Sequence, residues 1–445
     1  MLSGIPIPKD AIRPPETVLV NITPQETRVA VLEENNICEL HIERNSGHSL
    51  VGNIYLGMVR RVLPGMQSAF IDIGLERAAF LHIVDVLEQR RNPDETQRIE
   101  DDAERNSLRE RLTNLLPEDA CHGYIIRTNA ENATDEQLLS DIHYLTKVWE
   151  HIQEQAKIQP PETLLYQDLP LSLRVLRDMF SLDTQKILVD STENHRRMTR
   201  FAEQYVHGAL GKIELFKGER PLFETHNVEQ EISRALQPRV NLNFGSYLII
   251  ESTEAMTTID VNTGGFVGAR NFDETIFRTN LEACHTIARE LRLRNLGGII
   301  IIDFIDMAQE AHREAVLQEL AKALAFDRTR VTLNGFTSLG LVELTRKRSR
   351  ENLSQILCEP CPSCQGRGRL KTPQTICYEI QREIVREARR YDVQSFRILA
   401  APNVIDLFLD EESQSLAMLI DFIGKPISLA VETAYTQEQY DIVLL

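Results

Sequence analysis

A net positive charge, long apolar runs and an even set of cysteines are all missing from this 445-residue chain. With 49 Lys and Arg against 66 Asp and Glu, its formal net charge is −17. That sign argues against a simple polyanion binder, whose attraction to nucleic acid wants the opposite charge. The basic residues are grouped, however, in Arg346-Lys347-Arg348-Ser349-Arg350 and in Arg289, Arg292 and Arg294. An acidic body with such local patches can still hold a phosphate backbone. No apolar run approaches the roughly 20 residues that span a bilayer. The opening MLSGIPIPKDAIRPPE has no apolar signal core, and its prolines suggest a loose extension, so a cytoplasmic protein is expected. Seven cysteines, three of them clustered, fit a reducing compartment and a metal site better than a disulfide framework. There is no internal repeat and no low-complexity tract, and the length asks for two to four modules.

Against that background the stretch from Ala255 to Met307 stands out. AMTTIDVNTGGF is followed by a helix-like segment and then by LGGIIIIDFIDM. Asp260 closes one strand-like run, and Asp303 follows four isoleucines, Ile299 to Ile302, which read as a buried strand. Open α/β sheets place ligand sites at such strand ends. Two carboxylates converging there suit a hard cation such as Mg²⁺, with waters and a substrate phosphate completing the shell. Asn262, two residues beyond Asp260, would share its face and orient that carboxylate or the attacking water. Asp306 and Glu254 are outer candidates. The plain alternative is a turn at Asp260 and a helix cap at Asp303 and Asp306.

The rest alternates between strands and helices. Residues 17–43 read as two or three antiparallel strands. Residues 51–86 carry short β-rich runs with Tyr55, Phe70 and Phe80, either base-stacking aromatics of a small barrel or its core. A five-stranded barrel should continue past Val86, and here the pattern stops. A charged stretch follows, then helical spacing at Leu108, Leu112 and Leu115–Leu116. Arg127 and Thr128 end a strand-like run and could hold a phosphate, or simply be solvated. Helices are expected at about 135–155, 192–205, 274–294 and 308–325, giving a mixed or parallel sheet packed by helices. Residues 374–445 read as a small α+β domain.

Cys361-Pro-Ser-Cys364, followed by Gln-Gly-Arg-Gly, is a knuckle able to offer two thiolates to Zn²⁺. Structural zinc wants four ligands, and Cys358 is too close to chelate with both others. The economical solution is a second copy of the chain supplying the other pair, so that the zinc clips a homodimer.

TEAMTTIDVNTGGFVGARNFDETIFRTNLEA, LRLRNLGGIIIIDFIDM, NGFTSLGLVELTRKRSRE and CPSCQGRG together resemble the bacterial ribonuclease E/G family, over almost the whole chain from about Val18. The resemblance implies a Mg²⁺-dependent endoribonuclease acting on single-stranded RNA with 5′-monophosphate ends, in the maturation of ribosomal RNA precursors and in mRNA decay. It assigns Asp260 and Asp303 to Mg²⁺, Asn262 to their assistance, and Cys361 and Cys364 to a zinc shared between protomers. Arg127 and Thr128 become the 5′-phosphate sensor, and Phe70 and Phe80 RNA contacts of an S1 domain. Arg346 and Arg348, with Arg289, Arg292 and Arg294, are expected to position phosphates near the metal. The implied α+β multidomain architecture is an RNase H-like part (14–49 and 172–235) split around a partial S1 OB-type β-barrel (50–93) and a 5′-sensor region (94–171). A DNase I-like α/β catalytic subdomain (236–357), a zinc link (358–371) and a small C-terminal domain (372–445) complete it.

One departure matters. In the family the S1 domain runs on past the position of Val86, through further strands and a basic stretch, before the sensor begins. Here several tens of residues are missing, so an intact metal site is expected to work with weakened RNA capture and 5′-end sensing. The rival readings are a non-catalytic RNA-binding dimeric scaffold of the same family, and a DNA nuclease or metallophosphatase built on the same carboxylates.

Overall fold

The computed structural model describes residues 5, 7–8, 13–44, 50, 52–83, 102–116, 123–126, 134–181, 183–264, 272–348 and 350–445. They fall into two compact units, 1–356 and 357–445.

The first unit is built on two large sheets. One has five strands in the order 213–215, 184–189, 16–22, 26–33, 36–44. Its inward side chains, Val18, Val20, Val29, Val31, Ile187 and Val189, pack against Leu176, Met198 and Phe201. The Thr192–Tyr205 helix starts as its sequence predicts, because Ser191 accepts a hydrogen bond from the Asn194 amide and satisfies an otherwise orphaned donor.

The other sheet has six strands, in the order 239–241, 247–252, 256–262, 298–303, 342–346, 331–336. Met256–Asn262 and Gly298–Asp303 run parallel and are joined by the Phe272–Leu293 helix, a crossover that parallel neighbours require. The remaining pairs are antiparallel, so the sheet is mixed. Only one face is dry. Leu248, Ile250, Ile259, Val261, Ile300, Ile302, Leu333, Val342 and Leu344 point into a core shared with Ile287, Leu291, Val316 and Leu320 of the covering helices. The period of two then sends the intervening residues to the opposite, open face. The reading of Ile299–Ile302 as a wholly buried strand is therefore corrected: Ile300 and Ile302 are sealed, whereas Ile299 is 49% exposed.

Strands 58–63, 68–72 and 79–82 form a three-stranded antiparallel sheet, and Ile54–Leu56 pairs separately with Thr163–Tyr166. The expected helix near residue 135 runs Asp135–Ile158, and the one at 308–325 runs Glu310–Leu324.

In the second unit a three-stranded sheet, 427–431, 396–400, 440–444, is packed by the Pro373–Arg390, Pro402–Leu409 and Ser413–Ile423 helices through Ile376, Ile380, Phe396, Ile398, Val404 and Phe408. The Pro402–Leu409 helix was not expected. Its signal is Pro402 at the first helical position after an extended Ala401, where proline's missing N–H costs nothing.

Candidate active site

Asp260 and Asp303 are register partners on neighbouring parallel strands. Register partners share a face, and for this pair the burial alternation makes it the open one. Asn262 donates from Nδ2 to Asp260 Oδ2 at 2.7 Å, so the asparagine does turn toward its neighbour's carboxylate. The turn beyond it is fixed by Gly264, which has φ +60°, and where a Cβ would come within 2.1 Å of the Gly245 carbonyl oxygen.

Asp303 is steadied from behind. Asn280, fully buried on the crossover helix, donates from Nδ2 to the Ile305 carbonyl at 2.8 Å and accepts from the Ile305 amide through Oδ1 at 3.1 Å. This two-point clamp holds the segment from Asp303 to Asp306. Sequence reasoning missed Asn280; its signal is a lone amide at an inward helical position in TNLEAC, where an apolar residue is expected. Partial burial, then the charges of Asp260 and Asp306, push the Asp303 carboxyl above its ordinary range. Three carboxylates thus build a concentrated negative potential that a divalent cation would relieve. Among the described residues no group of three or more His, Cys, Asp or Glu side chains is arranged to hold a metal ion. Two hard oxygen donors on an open face fit a cation that keeps most of its water.

The expected phosphate-positioning arginines lie elsewhere. Arg346 pairs in register with Gly298, five residues of strand from Asp303, about 17 Å away at 3.3 Å per residue. It is 5% exposed, and its guanidinium is consumed by Asp327 at 2.7 Å, Asn295 and the Leu296 carbonyl. Arg348 donates to the Gly297 carbonyl at that same end. Arg292 pairs with Glu33 and Glu39, Arg294 with Glu290, and Arg289 with Glu231 and Glu290. These follow the crossover helix to its C-terminal end, which lies beside the start of the 298–303 strand, not its end. They are structural ion pairs. A cleft of about 1620 Å³ opens in this region among Arg292, Arg328, Arg346 and Arg350. Three of its arginines, Arg292, Arg328 and Arg346, are already paired with Glu33, Glu39, Glu16 and Asp327, and neither Asp260 nor Asp303 lines it.

Phe70 and Phe80 are register partners, with ring centroids 5.7 Å apart and edge-on; Phe80 is 54% exposed. Arg127 and Thr128 lie outside the described residues. Cys361 is exposed and Cys364 partly so. The backbone amides of Cys364 and Ser363, with the Cys364 thiol, lower the Cys361 thiol from its ordinary range. This favours the thiolate that a metal takes. No helix of the described residues is long and apolar enough to cross a membrane.

Comparison with known proteins gives this geometry a context. Residues 86–349 match the family model described as the ribonuclease E/G family. The chain is 44% identical to ribonuclease G of Escherichia coli K12 and 42% identical to that of Haemophilus influenzae, in both cases over 96% of this chain and 99% of the relative. It is 34% identical to ribonuclease E of Synechocystis, over 77% of this chain and 58% of that protein. The alignment to the E. coli protein extends over 487 positions. Since 96% of 445 residues is about 427, about 60 of those positions face gaps in this chain.

Proposed function

Because the chain belongs to the ribonuclease E/G family, we propose that it is a metal-dependent endoribonuclease that cleaves single-stranded RNA, prefers 5′-monophosphorylated ends, and acts in ribosomal RNA maturation and mRNA decay. The observation that carries the reading is the in-register pair Asp260–Asp303, with Asn262 bonded to Asp260. Asp260 and Asp303 would hold Mg²⁺, which when bound supplies charge neutralisation at the phosphate and an acidified water. Asn262 fixes the Asp260 carboxylate so that one oxygen stays turned toward the shared site. Asn280 keeps Asp303 from swinging away with its loop. The open face leaves both carboxylates accessible to a strand of RNA.

The two thiolates of Cys361 and Cys364 make half of a tetrahedral zinc site, and a second copy of the chain would complete it. The roughly 60 positions missing relative to ribonuclease G, together with a sheet that has three strands around Phe70 and Phe80 among the described residues, support weakened RNA capture and weakened 5′-end sensing. Arg127 and Thr128 remain the proposed sensor, and the solvent-facing Arg348 is kept as a minor RNA contact remote from the metal.

Replacing Asp303 by Asn tests the whole reading. Mg²⁺-dependent cleavage of a single-stranded oligoribonucleotide should vanish while the melting temperature and the molecular mass hold. Persisting cleavage would remove the site from the reaction. A DNA oligonucleotide of the same sequence should stay intact, and a 5′-triphosphate should slow cleavage less than it does for ribonuclease G.

A further inference from the structure

The carboxylate site has a charge problem: it is anionic, its substrate is a polyanion, and the arginines expected to help are at the wrong end of the sheet. Within the six strands only two residues are cations, Arg239 and Arg346. Arg346 is buried and paired. Arg239 is exposed, and register places it well. Arg239 is opposite Ile249, Ile249 opposite Asp260, and Asp260 opposite Asp303. The four form one row across the sheet, all on the open face. With strands about 4.8 Å apart, the Cα of Arg239 lies about 10 Å from that of Asp260. This is too far for an ion pair that would cancel the metal site, yet close enough to meet the next stretch of a bound strand.

The guanidinium is also held ready. Its Cζ sits 3.8 Å from the centroid of the Tyr247 ring, and its Nε donates to Asn241 Oδ1 at 3.1 Å. Tyr247 is in turn the register partner of Asn262, the residue bonded to Asp260. No carboxylate pairs with Arg239 among the described residues. Stacking orients a planar cation and leaves its outer N–H groups free for a phosphate.

We propose that Arg239, stacked on Tyr247, is a positioning residue that grips an RNA phosphate flanking the scissile one and so lays the strand across Asp260 and Asp303. This rests on the endoribonuclease reading. Arg239 touches no reacting atom, so its loss weakens capture and leaves the bond-breaking step intact.

The test uses the full-length protein with a 5′-monophosphorylated oligoribonucleotide and Mg²⁺. Arg239→Gln should raise KM several-fold while kcat holds. The slope of log kcat/KM against log salt should become shallower by about 0.7, the yield of one lost phosphate contact on a single strand. Arg239→Lys should keep the salt slope and recover part of KM. Tyr247→Phe should behave as wild type, whereas Tyr247→Ser should raise KM, because the ring and not its hydroxyl supports the arginine. An unchanged KM and salt slope in Arg239→Gln would overturn the proposal, and so would a fall in kcat alone. Asp303→Asn, run beside it, separates the two readings: if Asp303→Asn is inert and Arg239→Gln is unaltered, only the role of Arg239 fails.

Discussion

Asn262 and Asp260, two residues apart on one strand and facing the same way, are joined by a 2.7 Å hydrogen bond from amide to carboxylate. The bond spans one pleat of an open sheet face, so it contributes little to folding. It ties down Oδ2 of Asp260 and so restricts how that carboxylate can turn.

Asn262→Ala should therefore lower kcat by roughly 10- to 100-fold, the usual cost of losing a group that orients a metal-binding carboxylate. The melting temperature should move by less than about 2 °C, as for other surface substitutions. Steady-state cleavage and a thermal melt on the same sample check both. A large drop in stability with little change in kcat would contradict the assignment.

Asn280→Ala should act through the loop. It leaves the Ile305 amide and carbonyl without their buried partners, at a cost of about 1–3 kcal/mol. It also frees the segment carrying Asp303, so kcat should fall further than stability alone accounts for. Denaturant titration gives the first quantity, and turnover at a temperature where the variant is fully folded gives the second.

Arg346→Ala should damage folding rather than RNA binding. Its partner Asp327 has a side chain only 2% exposed, and removing one member of such a pair costs about 3–5 kcal/mol. Equilibrium unfolding should register that loss. Binding of single-stranded RNA per folded molecule, measured in EDTA, should be unchanged.

The seam between the two large sheets gives a pH dependence. Burial, partly opposed by its hydrogen bond to Glu39, pushes His41 down to about 4, against roughly 6.5 in an unfolded chain. His41 is thus neutral at pH 7. Burial would raise Glu39, but hydrogen bonding and the charges of Arg328 and Arg292 hold it well below the usual range. Between pH 6.5 and 4 the unfolded chain binds a proton at His41 that the folded one refuses, so stability falls as the pH falls, by up to about 3 kcal/mol. Below pH 4.5 the loss of Glu39 ionisation in the unfolded state adds to the decline. His41→Gln should flatten the upper part of this curve in denaturant midpoints taken from pH 7 to pH 4.5.

Zinc removal supplies a separate test. Cys361→Ser or a strong chelator should halve the solution mass, and the intact dimer should carry about one zinc per two chains. A monomer that retains one zinc per chain would overturn the shared site.

The carboxylate pair was legible because chemistry and chain punctuation coincide there: an acidic residue terminates an apolar run twice within one βαβ unit. The same reading erred on the arginines. A cluster such as Arg346 to Arg350 looks solvent-facing in one dimension, yet strand alternation turns Arg346 inward, and only the register with Gly298 reveals which end of the sheet it occupies. Arg239 escaped notice for the converse reason. It is one basic residue in a short edge strand, RVN, and nothing local ties it to Asp260. Asn280 was hidden because a helix period marks faces but not hydrogen bonds to another segment. The four isoleucines misled through their uniformity, since identical side chains mask a period of two.

The parallel pairing of the two strands that carry Asp260 and Asp303 has a further meaning. Asp260 and Asp303 are separated by more than forty residues of chain and become neighbours only once the connecting helix has docked and both strands have joined the sheet. Such non-local closure comes late, because loop entropy must be met before the contact rewards it. A chain still emerging from the ribosome carries Asp260 before Asp303 has been made, so the paired carboxylates exist only once the whole βαβ unit has folded.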